Sequence, residues 1–99
     1  MSEAFPVHIH LKVITPQQLL LDEQVADVSL PGLDGDLGIL PGHRPFLVVL
    51  GEGVLSFKRT GGLERIGVSG GYAEIKGDSV LVFTRLKDKN EQEFDAGRG

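Results

Sequence analysis

Before residue 85 no stretch carries apolar residues at the 3.6-residue spacing of a helix face; the chain is instead a series of brief apolar runs cut by glycine and proline. A chain patterned this way buries its apolar side chains by stacking short strands, so the fold class it points to is all-β. The clearest run is the first. Val7, Ile9, Leu11 and Val13 alternate with His8, His10 and Lys12, the period-two signature of a strand with one buried and one wet face.

The remaining runs follow at short intervals. Leu19-Leu20-Leu21 precedes a strand pattern from Val25 to Leu30, which Pro31-Gly32 ends. Phe46 to Leu50 reads as a fully buried strand closed by Gly51-Glu52-Gly53, and Val54 to Arg59 leads to the turn Thr60-Gly61-Gly62. Glu64 to Val68 is the next strand; Tyr72 to Ile75 and Val80 to Thr84 then flank a hairpin turn at Gly77-Asp78. These spacings predict a sandwich or flattened barrel of two antiparallel sheets. With no repeat and no linker, residues 1–86 read as one domain. The polar run from Lys87 through Glu93 and the final Gly97-Arg98-Gly99 make 87–99 an expected disordered tail.

Between two apolar runs, Gly35-Asp36-Leu37-Gly38-Ile39-Leu40-Pro41-Gly42-His43-Arg44-Pro45 shows neither period and reads as a shaped loop. Gly35, Gly38 and Gly42 can take backbone angles closed to other residues, and Pro41 and Pro45 each fix a φ angle. Contact residues concentrate on loops held by a rigid scaffold, which singles out Asp36 and His43. Leu37, Ile39 and Leu40 are unusual on such a loop. They either tuck into the end of the sandwich or pack against another protein.

Composition narrows the function classes. The formal charge of -4 opposes nucleic-acid binding, which relies on clustered lysine and arginine to neutralise phosphates. The absence of cysteine removes disulfides and thiolate metal sites. No apolar run approaches the ~20 residues of a membrane helix, and Met1-Ser2-Glu3-Ala4 begins no export signal, so a soluble domain is expected.

Several local patterns suggest chemistry and then fall short of it. Gly67-Val68-Ser69-Gly70-Gly71 fits G-x-S-x-G, but no histidine and no helix follow Ser69, so a glycine-rich bend between strands is the better reading. His8 and His10 share a strand face as a zinc pair would, yet a site needs further ligands, and a solvated or partner-facing surface suffices. Asp34 and Asp36 are too few for a calcium site. Gly42 is followed by histidine where a Walker loop needs lysine, so no nucleotide cofactor is called for, and no other cofactor or metal.

The segment from Gly35 to His43 closely resembles the loop near the start of the epsilon subunit of F-type ATP synthases, where glutamate usually stands at the position of Asp36. Ser69-Gly70-Gly71 is similar to that family's later Ser-Gly-Gly turn, and Val7 to Val13 with Thr15-Pro16 to its first strand; the resemblance covers roughly residues 5 to 86. It implies a sandwich of two antiparallel sheets and a non-catalytic subunit of the central stalk, partnered by the gamma subunit and the ring of c subunits. Membrane attachment would come only through that complex, at the cytoplasmic face of the plasma membrane. Carried over onto this chain, Asp36 and His43 face the c-ring, and Gly35, Gly38, Pro41 and Gly42 shape the contact. Phe94-Asp95-Ala96-Gly97-Arg98-Gly99 only weakly resembles the motif that opens the family's carboxy-terminal helical hairpin. Its glycines disfavour a helix, and the hairpin is missing from this sequence. On the residues alone, a free-standing β-sandwich that binds a peptide or small ligand through the same loop stays open as an alternative.

Overall fold

The computed structural model describes residues 8–87. Eight strands account for nearly all of them: β1 Ile9–Ile14, β2 Leu19–Val25, β3 Asp27–Gly32, β4 Gly35–Ile39, β5 His43–Val49, β6 Glu52–Arg59, β7 Gly62–Gly77 and β8 Ser79–Leu86. Hydrogen-bonded neighbours run in the order β2-β1-β8-β7-β6-β3-β4, with β5 on the other side of β7. The all-β sandwich expected from the alternation is the fold observed.

Strand β7 belongs to both layers. Its first half, Gly62 to Ser69, pairs with β6; its second half pairs with β5 along one edge and β8 along the other. The sequence reads these halves as two strands because Gly70 and Gly71 break the apolar pattern. The chain instead stays extended through a bulge there, with both glycines at positive φ. Such a bulge bends a strand and increases its twist, which lets one strand serve two layers. Thr84, almost wholly buried, donates from Oγ1 to the Gly70 carbonyl at 2.6 Å, and Leu50 N donates to the Gly71 carbonyl at 2.9 Å.

The core lies between the layers. Ile9, Leu11 and Val13 of β1, Val80 and Val82 of β8, and Ala73 and Ile75 of β7 face Val28 and Leu30 of β3 and Leu55 and Phe57 of β6, all essentially solvent-free. Each fully buried aliphatic or aromatic side chain of this kind contributes about 1.5–3 kcal/mol. One strand pair departs from the antiparallel expectation: β1 and β8 run parallel, from His10 opposite Ser79 to Ile14 opposite Phe83.

Further expectations change. Val25 to Leu30 is not one strand, since β2 ends at Val25, Ala26 N donates to the Lys58 carbonyl at 2.7 Å, and β3 begins at Asp27. Phe46 to Leu50 is not fully buried: only Leu50 is, whereas Leu47 is 59% and Val49 54% exposed, because β5 has a single neighbour and an open outer face. Gly35 to Pro45 is a strand, a short turn and a second strand. Glycine at two positions of β4 hides its alternation, yet Leu37 and Ile39 point inward and Leu40 outward. Lys87, expected to open the tail, still donates its amide to the Gly67 carbonyl at 3.0 Å. Residues 88–99, with the motif from Phe94 to Gly99, lie outside the described residues, as does Val7.

Candidate functional site

Strands β4 and β5 form a hairpin whose arms splay apart between two pinned ends. At one end Leu33 N donates to the Val49 carbonyl at 3.1 Å and Gly32 bridges to Leu50; at the other the arms meet in the turn of residues 40–42. That turn is tied down. Gly42, at φ 89°, donates its amide to Asp78 Oδ1 at 3.2 Å, and the backbone of His43 lies opposite Gly77. Asp78 also accepts the His10 amide at 2.7 Å through its carbonyl. The turn therefore sits beside the β7–β8 hairpin and the start of β1, at the polar end of the sandwich.

Asp36 lies on β4 and His43 at the start of β5, one on each arm. Asp36 lies opposite Pro31, exposed, three residues before the end of β4, or about 10 Å along the strand from the turn. Gly35 and Gly42 hold the positive φ angles expected of them; Gly38 does not, and a Cβ there would meet nothing within 4 Å. Pro41, half-buried, precedes Gly42 in the turn.

The other sequence candidates fall elsewhere. Ser69 stands in register opposite Glu52 on a strand that continues, so no strand-to-helix elbow presents it. His10 Nε2 meets Asp22 Oδ1 across β1 and β2, which gives that ring an acidic partner and leaves it unpaired with His8. The Asp22 carboxyl is held below its ordinary value chiefly by this hydrogen bond, which outweighs an opposing desolvation, with the charges of His10 and Lys12 adding to the lowering. Arg59 of β6 reaches Glu23 of β2 and, at 3.3 Å, Glu64 of β7; hydrogen bonding to Glu23, then its charge, outweighs desolvation and raises the guanidinium further. Among the described residues no three His, Cys, Asp or Glu side chains converge as a metal site requires.

The largest feature that sequence reasoning missed is an apolar row on the outer face of the layer containing β1 and β8. Register places Val49 beside Tyr72, Tyr72 beside Phe83, Phe83 beside Ile14, and Ile14 beside Leu19. The row crosses five strands, about 19 Å. Tyr72 and Phe83 stack with centroids 5.0 Å apart, and beside them lies a groove of about 400 Å³. Toward the polar end the same face becomes Lys12, Glu74 and Leu81, then His10, Lys76 and Ser79. The signal was present in β8, where Val80 to Phe83 is apolar on both faces and so needs a cover on each.

These features define a β-sandwich domain with two unlike surfaces, an apolar row on one sheet and a polar hairpin end. The family follows from comparison: the sequence profile of the ATP synthase delta/epsilon chain, beta-sandwich domain, matches residues 8–86, and the chain belongs to that family. It is 41% identical over 83 residues to the ATP synthase epsilon chain of Nitratidesulfovibrio vulgaris strain DP4, covering 84% of this chain and 62% of that one. It is 38% identical over 84 residues to the epsilon chain of Carboxydothermus hydrogenoformans, covering 85% and 63%. The chain thus spans less than two thirds of the length of these relatives. Its fold is similar to a chain of the Euglena gracilis mitochondrial ATP synthase, OSCP/F1/c-ring, with a TM-score of 0.79 at 24% identity over 97% of this chain and 65% of that one. A chain of the Tetrahymena thermophila mitochondrial ATP synthase central stalk and c-ring gives 0.69 at 18% identity, over 84% and 68%.

Proposed function

We propose that this domain is a non-catalytic part of the rotating central stalk of an F-type ATP synthase, joining the gamma subunit to the c-ring so that ion transport is coupled to ATP synthesis. The observation that carries the reading is the division of the surface. A linker between two unlike partners needs two unlike contacts, and the sandwich offers an apolar row at one end of a sheet and a polar hairpin turn at the other. The row from Val49 to Leu19 suits a permanent protein contact, since exposed apolar area of this extent is costly to leave wet. It is assigned to gamma. The hairpin bearing Asp36 and His43 is assigned to the polar loops of the c-ring.

Torque transmission also needs stiffness, which a strand shared by both layers supplies. In this reading the domain holds no cofactor, binds no nucleic acid and reaches the cytoplasmic face of the plasma membrane only through the complex. The test is capture by purified gamma and by a gamma and c-ring complex. Retention on gamma, strengthened when the ring is present, is the expected result; failure to bind either would remove the assignment.

A further inference from the structure

The splayed arms of β4 and β5 leave the sandwich open along one side, in a cleft of about 600 Å³ lined by Leu33, Asp34, Asp36, Leu37, Leu47 and Val49. Its floor is the margin of the core, where Leu37 and Val48 are only partly covered. Both walls are edge strands. In an antiparallel pair, residues alternate between facing the partner and facing away. Leu50 donates its amide to Gly71 and so faces β7, as Val48 and Phe46 then do; Leu47 and Val49 face away, which agrees with the Val49 carbonyl accepting from Leu33. The N–H and C=O of Leu47 are therefore directed into the cleft.

The opposite wall follows by the same rule. Pro31 turns its carbonyl to the Gly51 amide at 2.8 Å, away from β4, so Asp36 opposite it and Gly38 two residues on present their backbone groups outward. Gly38 adds no side chain to obstruct that edge. Asp34 and Asp36 are exposed on the rim, and neither has a hydrogen bond or ion pair with another described residue. The cleft thus combines an unfinished core, two edges with free backbone groups and two unpaired carboxylates.

We infer that this cleft receives an extended segment by strand addition, the segment carrying an apolar side chain to fill the gap over Leu37 and Val48 and basic side chains on either side of it. Main-chain hydrogen bonds to an edge supply affinity in this mode, and alternate side chains supply selectivity. Charge chooses the occupant: an acidic segment would meet Asp34 and Asp36 with like charge. The cleft shares Asp36 with the proposed c-ring contact and Val49 with the apolar row assigned to gamma, so the test is made on the isolated chain, with neither partner present.

The test uses the 99-residue chain with two blocked pentapeptides, one alternating lysine and valine, the other glutamate and valine. The lysine peptide is expected to bind at least about tenfold more tightly at low salt, and Asp34→Asn with Asp36→Asn to weaken it about fivefold while leaving the melting temperature unchanged. At saturation the exchange of the Leu47 amide should slow at least about tenfold, as a newly made strand hydrogen bond requires. Equal affinity for both peptides, shifts confined to Tyr72 and Phe83, or an unprotected Leu47 amide would overturn it. So would concentration-dependent self-association that protects Leu47 without peptide, since the occupant would then be a second copy.

Discussion

A Cβ built on Gly71 would stand 1.9 Å from the carbonyl oxygen of Phe83 on the neighbouring strand, and Gly71 itself holds φ at 104°. Neither condition can be relieved by a side chain moving aside, because the obstruction is backbone. Gly71→Ala is therefore expected to destabilise the domain by at least about 3 kcal/mol, against a small effect for Gly38→Ala, where space is open and φ is not positive. In a domain of this size 1 kcal/mol moves the melting temperature by about 4–8 °C, so thermal unfolding followed by circular dichroism separates the two. Comparable melting of both variants would show that the bulge is not what binds the layers.

Thr84 provides a second test of the same joint. Its hydroxyl is the side-chain donor to the Gly70 carbonyl, and the residue is almost wholly buried. Thr84→Val keeps the volume but strands that carbonyl, at a cost of about 1–3 kcal/mol, whereas Thr84→Ser keeps the hydrogen bond and loses one methyl, about 0.8 kcal/mol. Urea midpoints should therefore rank wild type, serine, valine. A valine variant as stable as wild type would show that water replaces the hydroxyl.

The pair of His10 and Asp22 carries a pH dependence of defined sign. Asp22 is held below its ordinary value of 3.8 in the folded chain, chiefly by the His10 hydrogen bond. A carboxylate whose folded pKa is depressed adds stability that is present above the unfolded value and lost as pH falls through the folded one. The stability difference between wild type and Asp22→Asn should shrink as pH is lowered below 3.8. A difference that stayed constant through that range would show that the contact is not formed in solution.

Much of the sandwich was legible because β1 and β3 keep their inward positions apolar, as β8 does at Val80 and Val82, so that Ile9, Leu11 and Val13 or Val28 and Leu30 mark the core directly. What failed to show was pairing. Nothing local in β1 announces that it runs parallel to β8, a contact made by residues about seventy apart, and nothing between Glu64 and Ile75 says that two apolar runs are one bent strand. The hairpin of β4 and β5 was mistaken for a loop because glycine at positions 35 and 38 erased half of a period-two signal. Asp36 and His43 stood out by their place on a glycine- and proline-rich segment, and the resemblance gave them a partner, whereas Tyr72 and Phe83 passed as ordinary strand residues until register placed them in one row.

The two proposed contacts should come apart under mutation. Asp36→Ala and His43→Ala remove polar groups from a hairpin whose backbone is pinned at both ends, by Leu33 to Val49 and by Gly42 to Asp78, so the fold should change little. At the ring, a lost charge-assisted hydrogen bond costs about 1.5–3 kcal/mol, or roughly tenfold to a hundredfold in affinity for the gamma and c-ring complex, with binding to gamma alone preserved. Tyr72→Ala should do the opposite. It empties the centre of the apolar row and breaks the stack on Phe83, costing about 0.5–1.5 kcal/mol in stability and, as a buried aromatic at a protein contact, about 2 kcal/mol or more in gamma affinity. Affinities for gamma alone and for gamma with the ring, measured on all three variants, give the pattern. If Tyr72→Ala bound gamma like wild type while Asp36→Ala and His43→Ala lost it, the two surfaces would have to be exchanged; if all three bound the full complex like wild type, neither surface would be a contact.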